Sequence, residues 1–382
     1  MKIGILTLPL HINYGGIMQV YALQTILERM GHDVIVFQKD VHPNYSLPFW
    51  KYPLAYGKRM LKKILVDKRE PLNKEKINKR EFPIIQQHLN TFINGHIHTV
   101  MYENVANINL STIDCIVVGS DQIWRPIHVK NLLKTRIQDA YLSFTKDWDG
   151  LRVAYATSFG VENWEYTKKE TEDCRKLVRL FNAVSVRELS AVGLCYKHLG
   201  INAVQVLDPT LLLKEDDYRY LIEKENDSSQ KETLFSYILD DTPEKRLFVK
   251  QCAKKINKKI HNITINPIDK YASLDERIIP PLEQWLKAFR DADFVVTDSF
   301  HGCVFSILFN KKFIALGNAK RGNARFISLL SMFGMENRLI TDFREENLNK
   351  IIEEKTIDVQ DELCSLRDAS MRFLKQSLDR AV

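Results

Sequence analysis

In the stretch VVTDSFHGCVFSILFNKKFIALGN (295–318), Asp298, Ser299 and His301 stand where an apolar strand gives way to a buried helix. Pure packing has no use for an acid, a hydroxyl and an imidazole so close together, whereas a ligand site at a strand end does. Histidine changes protonation near neutral pH and can carry a proton to a reacting atom. Lys320, Arg321 and Arg325 follow in NAKRGNARF (318–326). Guanidinium groups grip phosphate or carboxylate in a bidentate fork. Together these residues could supply a proton, with His301 and Asp298 as the catalytic candidates, beside cationic binders for a phosphate and a carboxylate. Taken alone, the histidine reads as an ordinary hydrogen-bonded side chain, and the combination is what makes the segment specific.

Four further segments carry polar residues at expected strand ends. HINYGG (11–16) places Asn13 and Gly15 after the first strand, where backbone N–H groups and a helix dipole can meet an anion. A tight turn that needs glycine explains the same residues equally well, and G-x-G-x-x-G is absent. GSDQIWRP (119–126) offers Asp121 and Gln122 to a substrate hydroxyl and Trp124 as a face for a sugar ring, with helix capping as the alternative. SVRELS (185–190) brings Arg187 out of a β-branched strand, which is costly unless it meets an anion or pairs internally with Glu188 or Asp208. In LDPTLL (207–212), Asp208 before Pro209 reads as a turn and cap that could also orient an arginine.

The elements that must position these residues follow from periodicity. KIGILTL, DVIVFQ, DCIVVGSDQIW, LRVAYATSFG, AVSVRE and AVQVLDPTLLL read as buried parallel strands. They alternate with helices over 16–30, 165–180 and 189–199; further helical pieces fall at 57–66 and 80–94. TLFSYIL, KKIHNIT, FVVTDSFHG and KKFIALG begin a second, similar half. The expected fold is α/β, with two Rossmann-like domains facing across a cleft in a glycosyltransferase-B-like arrangement. Residues 1–222 are expected to form the first domain, residues 231–345 the second, and 346–382 a helical tail. The polar stretch IEKENDSSQK links the halves.

Composition narrows the classes. At 382 residues, 45% hydrophobic and 27% charged, the chain suits two globular domains. Its six cysteines lack C-x-x-C pairing, so neither a disulfide framework nor a metal site is expected. Finger and ribonucleoprotein patterns are absent, and no nucleic-acid partner is expected. No apolar run approaches the roughly 18–20 residues of a membrane helix, and the N-terminal residues read as a strand, not a signal peptide. A cytoplasmic location is expected. The net charge is +7, part of it from KRMLKKILVDKREPLNKEKINKR (58–80). That stretch reads as a solvated helix face or, more sharply, as peripheral contact with anionic ligands or the inner membrane surface.

The segments NYGGIMQVYALQTILERMGHDV, VVGSDQIWRP, TSFG, AVSVRE, VLDPTLLL and VVTDSFHGCVFSILFNKKFIALGN…RGNARFISLL, in this order across residues 1–345, resemble the polysaccharide pyruvyl transferases. The resemblance implies transfer of a carboxyethylidene group from phosphoenolpyruvate to a sugar of a polysaccharide or lipid-linked precursor, with release of phosphate. It implies phosphoenolpyruvate as donor substrate, on the second domain, with no other cofactor, and a glycan or lipid-linked sugar as acceptor, on the first. On this reading His301 is the general acid, and Arg187 and Arg321 bind anions, with Arg325 and Lys320 in reserve. Asp121, Gln122 and Asn13 contact the acceptor. A nucleotide-sugar-dependent glycosyltransferase of the same fold is the alternative, and a non-catalytic binding protein is a third reading. Acceptor identity, ketal stereochemistry and oligomeric state do not follow from the sequence.

Overall fold

Two parallel sheets organise the chain. The computed structural model describes residues 1–39, 49–66, 71–222, 233–263, 267, 269, 271–317, 322–354 and 358–379. The first sheet contains β1 (Lys2–Leu6), β2 (Asp33–Lys39), β3 (Thr99–Tyr102), β4 (Cys115–Gly119), β5 (Leu151–Thr157), β6 (Ala183–Val186) and β7 (Val204–Gln205). Its order is β3-β2-β1-β4-β5-β6-β7, and every pairing is parallel. The second contains β8 (Thr233–Tyr237), β9 (Lys259–Asn262), β10 (Phe294–Thr297), β11 (Lys312–Leu316) and β12 (Leu339–Ile340), in the order β12-β11-β10-β8-β9. β4, β5 and β10 are buried along their whole length, as parallel strands in sheets covered on both faces are.

The order of each sheet reverses once, between β1 and β4 and between β8 and β10. Loops diverge at such points and leave a crevice beyond the strand ends. Helix α1 (Tyr14–Arg29) leaves the first crevice, and Gly31 at φ 87° turns the chain back into β2. Helices α2 (Tyr52–Leu65) and α3 (Lys74–Ile85) follow β2. In the second domain, helix Phe300–Leu308 starts directly after β10.

The domains share a core. A single apolar cluster runs from Ile5 and Met18 through Leu207 and Tyr218 to Trp285, Phe289 and Phe305. Tyr14 stacks on Trp285 at 5.2 Å and donates from its hydroxyl to the Pro280 carbonyl at 2.7 Å. The tail, left unplaced by sequence, returns to the first domain as helix Gln360–Asp379. There Ser370 Oγ accepts from the Leu207 amide, and Arg367 donates to the Leu211 carbonyl.

Candidate active site

Loops at the carboxyl ends of β1, β4, β5 and β6 and the segment after β7 meet helix starts of the second domain at one seam. Arg187 leaves β6 and is buried, as is Asp208 after β7. Arg187 Nη1 donates to Asp208 Oδ2 at 2.7 Å, and its Nη2 donates to Asp121 Oδ1 at 3.4 Å. Asp121 sits at φ 59°, a left-handed conformation that aspartate tolerates better than most residues. Asp208 Oδ1 accepts from the Thr210 amide and hydroxyl at 3.0 and 2.7 Å, which fixes the carboxylate.

His301 comes from the second domain, in the first turn of helix Phe300–Leu308. Its Nε2 lies 3.7 Å from Asp208 Oδ2, beyond hydrogen-bond length. Its ring rests against the backbone of Gly15 in the first turn of α1. A Cβ there would come within 2.0 Å of His301 Nδ1, so only glycine admits the imidazole. Phe300 meets two guanidiniums, with Arg187 at 4.4 Å and Arg325 at 5.7 Å from its ring centre.

Polar atoms without partners concentrate here. Buried His11 Nδ1, Ser120 Oγ, Arg187 Nε, Glu188 Oε2, His301 Nε2 and Arg325 Nε lack a hydrogen bond. Folded proteins pair most of their buried polar atoms, so such a group of exceptions marks a place suited to a polar guest. Five can donate, and Glu188 Oε2 can accept. The other Glu188 oxygen is fully used, accepting from Ser158 Oγ and from the Phe159 and Gly160 amides at 2.8–2.9 Å.

Charges of both signs are packed together here: Asp121, Asp208 and Glu188 surround Arg187, and Arg325 lies beside them. Burial alone would raise the Asp208 carboxyl, yet His301, Arg187 and Thr210 outweigh it and hold it well below the usual carboxylate range. Burial likewise opposes ionisation of Asp121, and Arg187, His301, Arg325 and His128 reverse the balance. Burial and the neighbouring Arg187 push Arg325 down to about 10. Burial also lowers His11 and His128, although Asp121 pulls both upward. His11, Gln122, Arg125, His128 and Arg325 are half-buried.

Some sequence-derived assignments move. Asp298, paired with His301 as catalytic, is a structural anchor: its oxygens accept from the Leu239 and Asp240 amides and from Lys245 Nζ at 2.6, 3.0 and 2.6 Å. Asp208, read as a turn residue, is the carboxylate beside the imidazole. Ser299 caps helix Phe300–Leu308, accepting from the Gly302 amide at 3.3 Å. Trp124 is wholly buried and stacks on Tyr141 at 4.6 Å, so it offers no face to a sugar. Asn13 is exposed at the start of α1 and makes no side-chain cap. Gln122 Oε1 accepts from Arg125 at 3.4 Å and crowds Gly160, whose φ is 72°. Arg321 and Lys320 lie outside the described residues.

Glu188, His11 and His128 were missed as site residues. Glu188 directly follows Arg187 and His11 opens HINYGG, so position in a recognised segment was the available signal. Among the described residues, no cluster of three or more His, Cys, Asp or Glu forms a metal-ligand set, and no helix is long and apolar enough to cross a membrane.

No curated protein matches the sequence. Among solved structures, the chain is similar to UDP-GlcNAc 2-epimerase from Methanocaldococcus jannaschii, with 12% identity, 98% of this chain and 100% of that chain covered, and a TM-score of 0.50. It is also similar to UDP-GlcNAc 2-epimerase from Neisseria meningitidis bound to UDP-GlcNAc, with 9% identity, full coverage of both chains and a TM-score of 0.49. A third is Arabidopsis thaliana UGT89C1 complexed with UDP-L-rhamnose, at 8% identity, 99% and 98% coverage and a TM-score of 0.49. Likeness at such identities speaks to fold alone: two Rossmann-like domains in the glycosyltransferase-B-like arrangement. The family model described as polysaccharide pyruvyl transferase matches residues 13–320.

Proposed function

Since the chain belongs to the polysaccharide pyruvyl transferase family, we propose that it transfers a carboxyethylidene group from phosphoenolpyruvate to two hydroxyls of one sugar, releasing phosphate. The sugar belongs to a polysaccharide or its lipid-linked precursor. The observation that carries this reading is the group of unpartnered polar atoms in the seam, mostly donors, set among guanidiniums and imidazoles. A small phosphate dianion that also carries a carboxylate would satisfy those donors.

The chemistry then divides among named residues. His301 donates a proton to the methylene carbon of phosphoenolpyruvate, leaving a cationic centre at C2. One sugar hydroxyl attacks C2, the C2–O bond to phosphate breaks, and the second hydroxyl closes the ketal. Two hydroxyl protons are released: one restores His301 and the other leaves with phosphate. Arg325 and Arg187 Nε hold the phosphate and carboxylate, and their positive charge stabilises the departing phosphate. Asp208 is a positioning residue that keeps the imidazole and the Arg187 fork in place. Glu188 Oε2 receives the proton of the attacking hydroxyl and passes it to the departing phosphate. Asp121 and Gln122 face the acceptor.

The test is phosphate release from phosphoenolpyruvate with a panel of glycan acceptors, alongside a mass gain on the acceptor matching one pyruvyl group. His301→Gln should lose roughly a hundredfold to ten-thousandfold of the rate, the usual worth of a positioned acid, while keeping its fold. An undiminished rate in that variant rejects the role of His301. Turnover of nucleotide-sugars in place of phosphoenolpyruvate rejects the reaction itself.

A further inference from the structure

Helix α2 is mounted with its apolar side outward. Its inner side is polar: Arg59 donates to Glu75 through Nη1 at 2.7 Å and Nη2 at 2.5 Å and to the Leu72 carbonyl at 2.9 Å, and Tyr56 meets Asn73. None of its residues is buried. Leu54, Leu61, Ile64 and Leu65 recur at helical spacing, and Met60 and Trp50 flank that stripe. Their exposure runs from 56% at Met60 to 74% at Leu65. Soluble helices turn such a stripe toward a core, and a contiguous exposed apolar face signals a binding surface.

The charge around the stripe selects the occupant. Residues 51–66 contain Lys51, Lys58, Arg59, Lys62 and Lys63 and no acid. Lys51, Lys58 and Lys62 recur at the same helical spacing and border the stripe along one edge. An apolar face edged by lysines with a tryptophan at its start has the composition of helices that lie in a bilayer interface. A second copy of this chain fits less well, because a two-fold contact would bring these cations face to face.

We infer that α2 docks the protein on an anionic phospholipid surface, its apolar stripe in the interface and its lysines among the headgroups. The inference rests on α2 alone and stands apart from the reaction proposed above. The test is co-sedimentation of the full chain with vesicles of phosphatidylcholine, with and without phosphatidylglycerol. Binding should require the anionic lipid and weaken as salt rises. Leu61→Glu with Ile64→Glu should abolish binding without lowering the melting temperature, because both side chains are already in water. Lys58→Gln and Lys62→Gln should each weaken it roughly fivefold, the worth of one lysine near such a surface. Failure to sediment with anionic vesicles overturns the inference, as does equal binding to neutral ones. Self-association that the Leu61→Glu, Ile64→Glu pair disrupts, without vesicle binding, assigns the face to a second copy instead.

Discussion

Two buried acid–base clusters at strand ends, one inside the second domain and one at the seam, are built differently. In the second domain Asp298 is saturated by two amides and by Lys245, leaving both oxygens occupied. In the seam Asp208 serves Arg187 and Thr210, and His301 stays 3.7 Å away with Nε2 unpaired. A saturated buried pair fixes the fold and has nothing left for a ligand. A buried group with unspent donors bears an energetic cost that a substrate can relieve. The difference teaches that hydrogen-bond satisfaction, more than residue type, separates the structural cluster from the functional one.

Substitutions can break that contrast. His301→Gln should have the largest effect, the hundredfold or greater loss of phosphate release described above, with the thermal midpoint nearly unchanged. Asp298→Ala should invert the pattern. Removing one partner of a buried ion pair costs about 3–5 kcal/mol, so denaturant unfolding should show a large stability loss, while the KM for phosphoenolpyruvate of the folded fraction stays near the wild-type value. A strong rise in KM there would return Asp298 to the site. Gly15→Ala should cost about 1–3 kcal/mol by overpacking and also lower kcat, because the new methyl would meet the His301 ring. A stability loss without a kcat effect would detach the imidazole from the chemistry.

The smallest effect concerns pH. The folded-state pKa of Asp208 lies below its unfolded value. Its ionic contribution is therefore present above the ordinary aspartate value of about 4 and disappears as pH falls through the lowered one. That contribution is on the order of 2 kcal/mol. The stability gap between the wild type and Asp208→Asn should narrow as pH drops below about 4, measured by thermal unfolding. A gap independent of pH would mean that Asp208 is not ionised in the fold.

The sheets were legible because parallel strands must be apolar on both faces, and residues such as 115–119 and 294–297 carry that mark unaided. Edge strands β3 and β12 were missed: two residues at Leu339–Ile340 leave no period to count, and Thr99–Tyr102 is half exposed. Within the site, His301, Arg187 and Asp121 were visible as polar residues at strand ends. The pairing was not. Asp298 is three residues from His301 in sequence, yet its carboxylate is spent on Lys245; Asp208 is 93 positions away and faces the ring across the seam. Local spacing reports neighbours along the chain, and the partner came from the other domain.

The most direct measurement is a crystal structure of the protein with phosphoenolpyruvate. Its phosphate and carboxylate are expected on Arg187 Nε and Arg325 Nε, with the methylene carbon within reach of His301 Nε2. Density instead in the cavity of about 590 Å³ lined by Ser236, Arg246 and Asn262, with the seam unchanged, would contradict the assignment of the seam as the donor site.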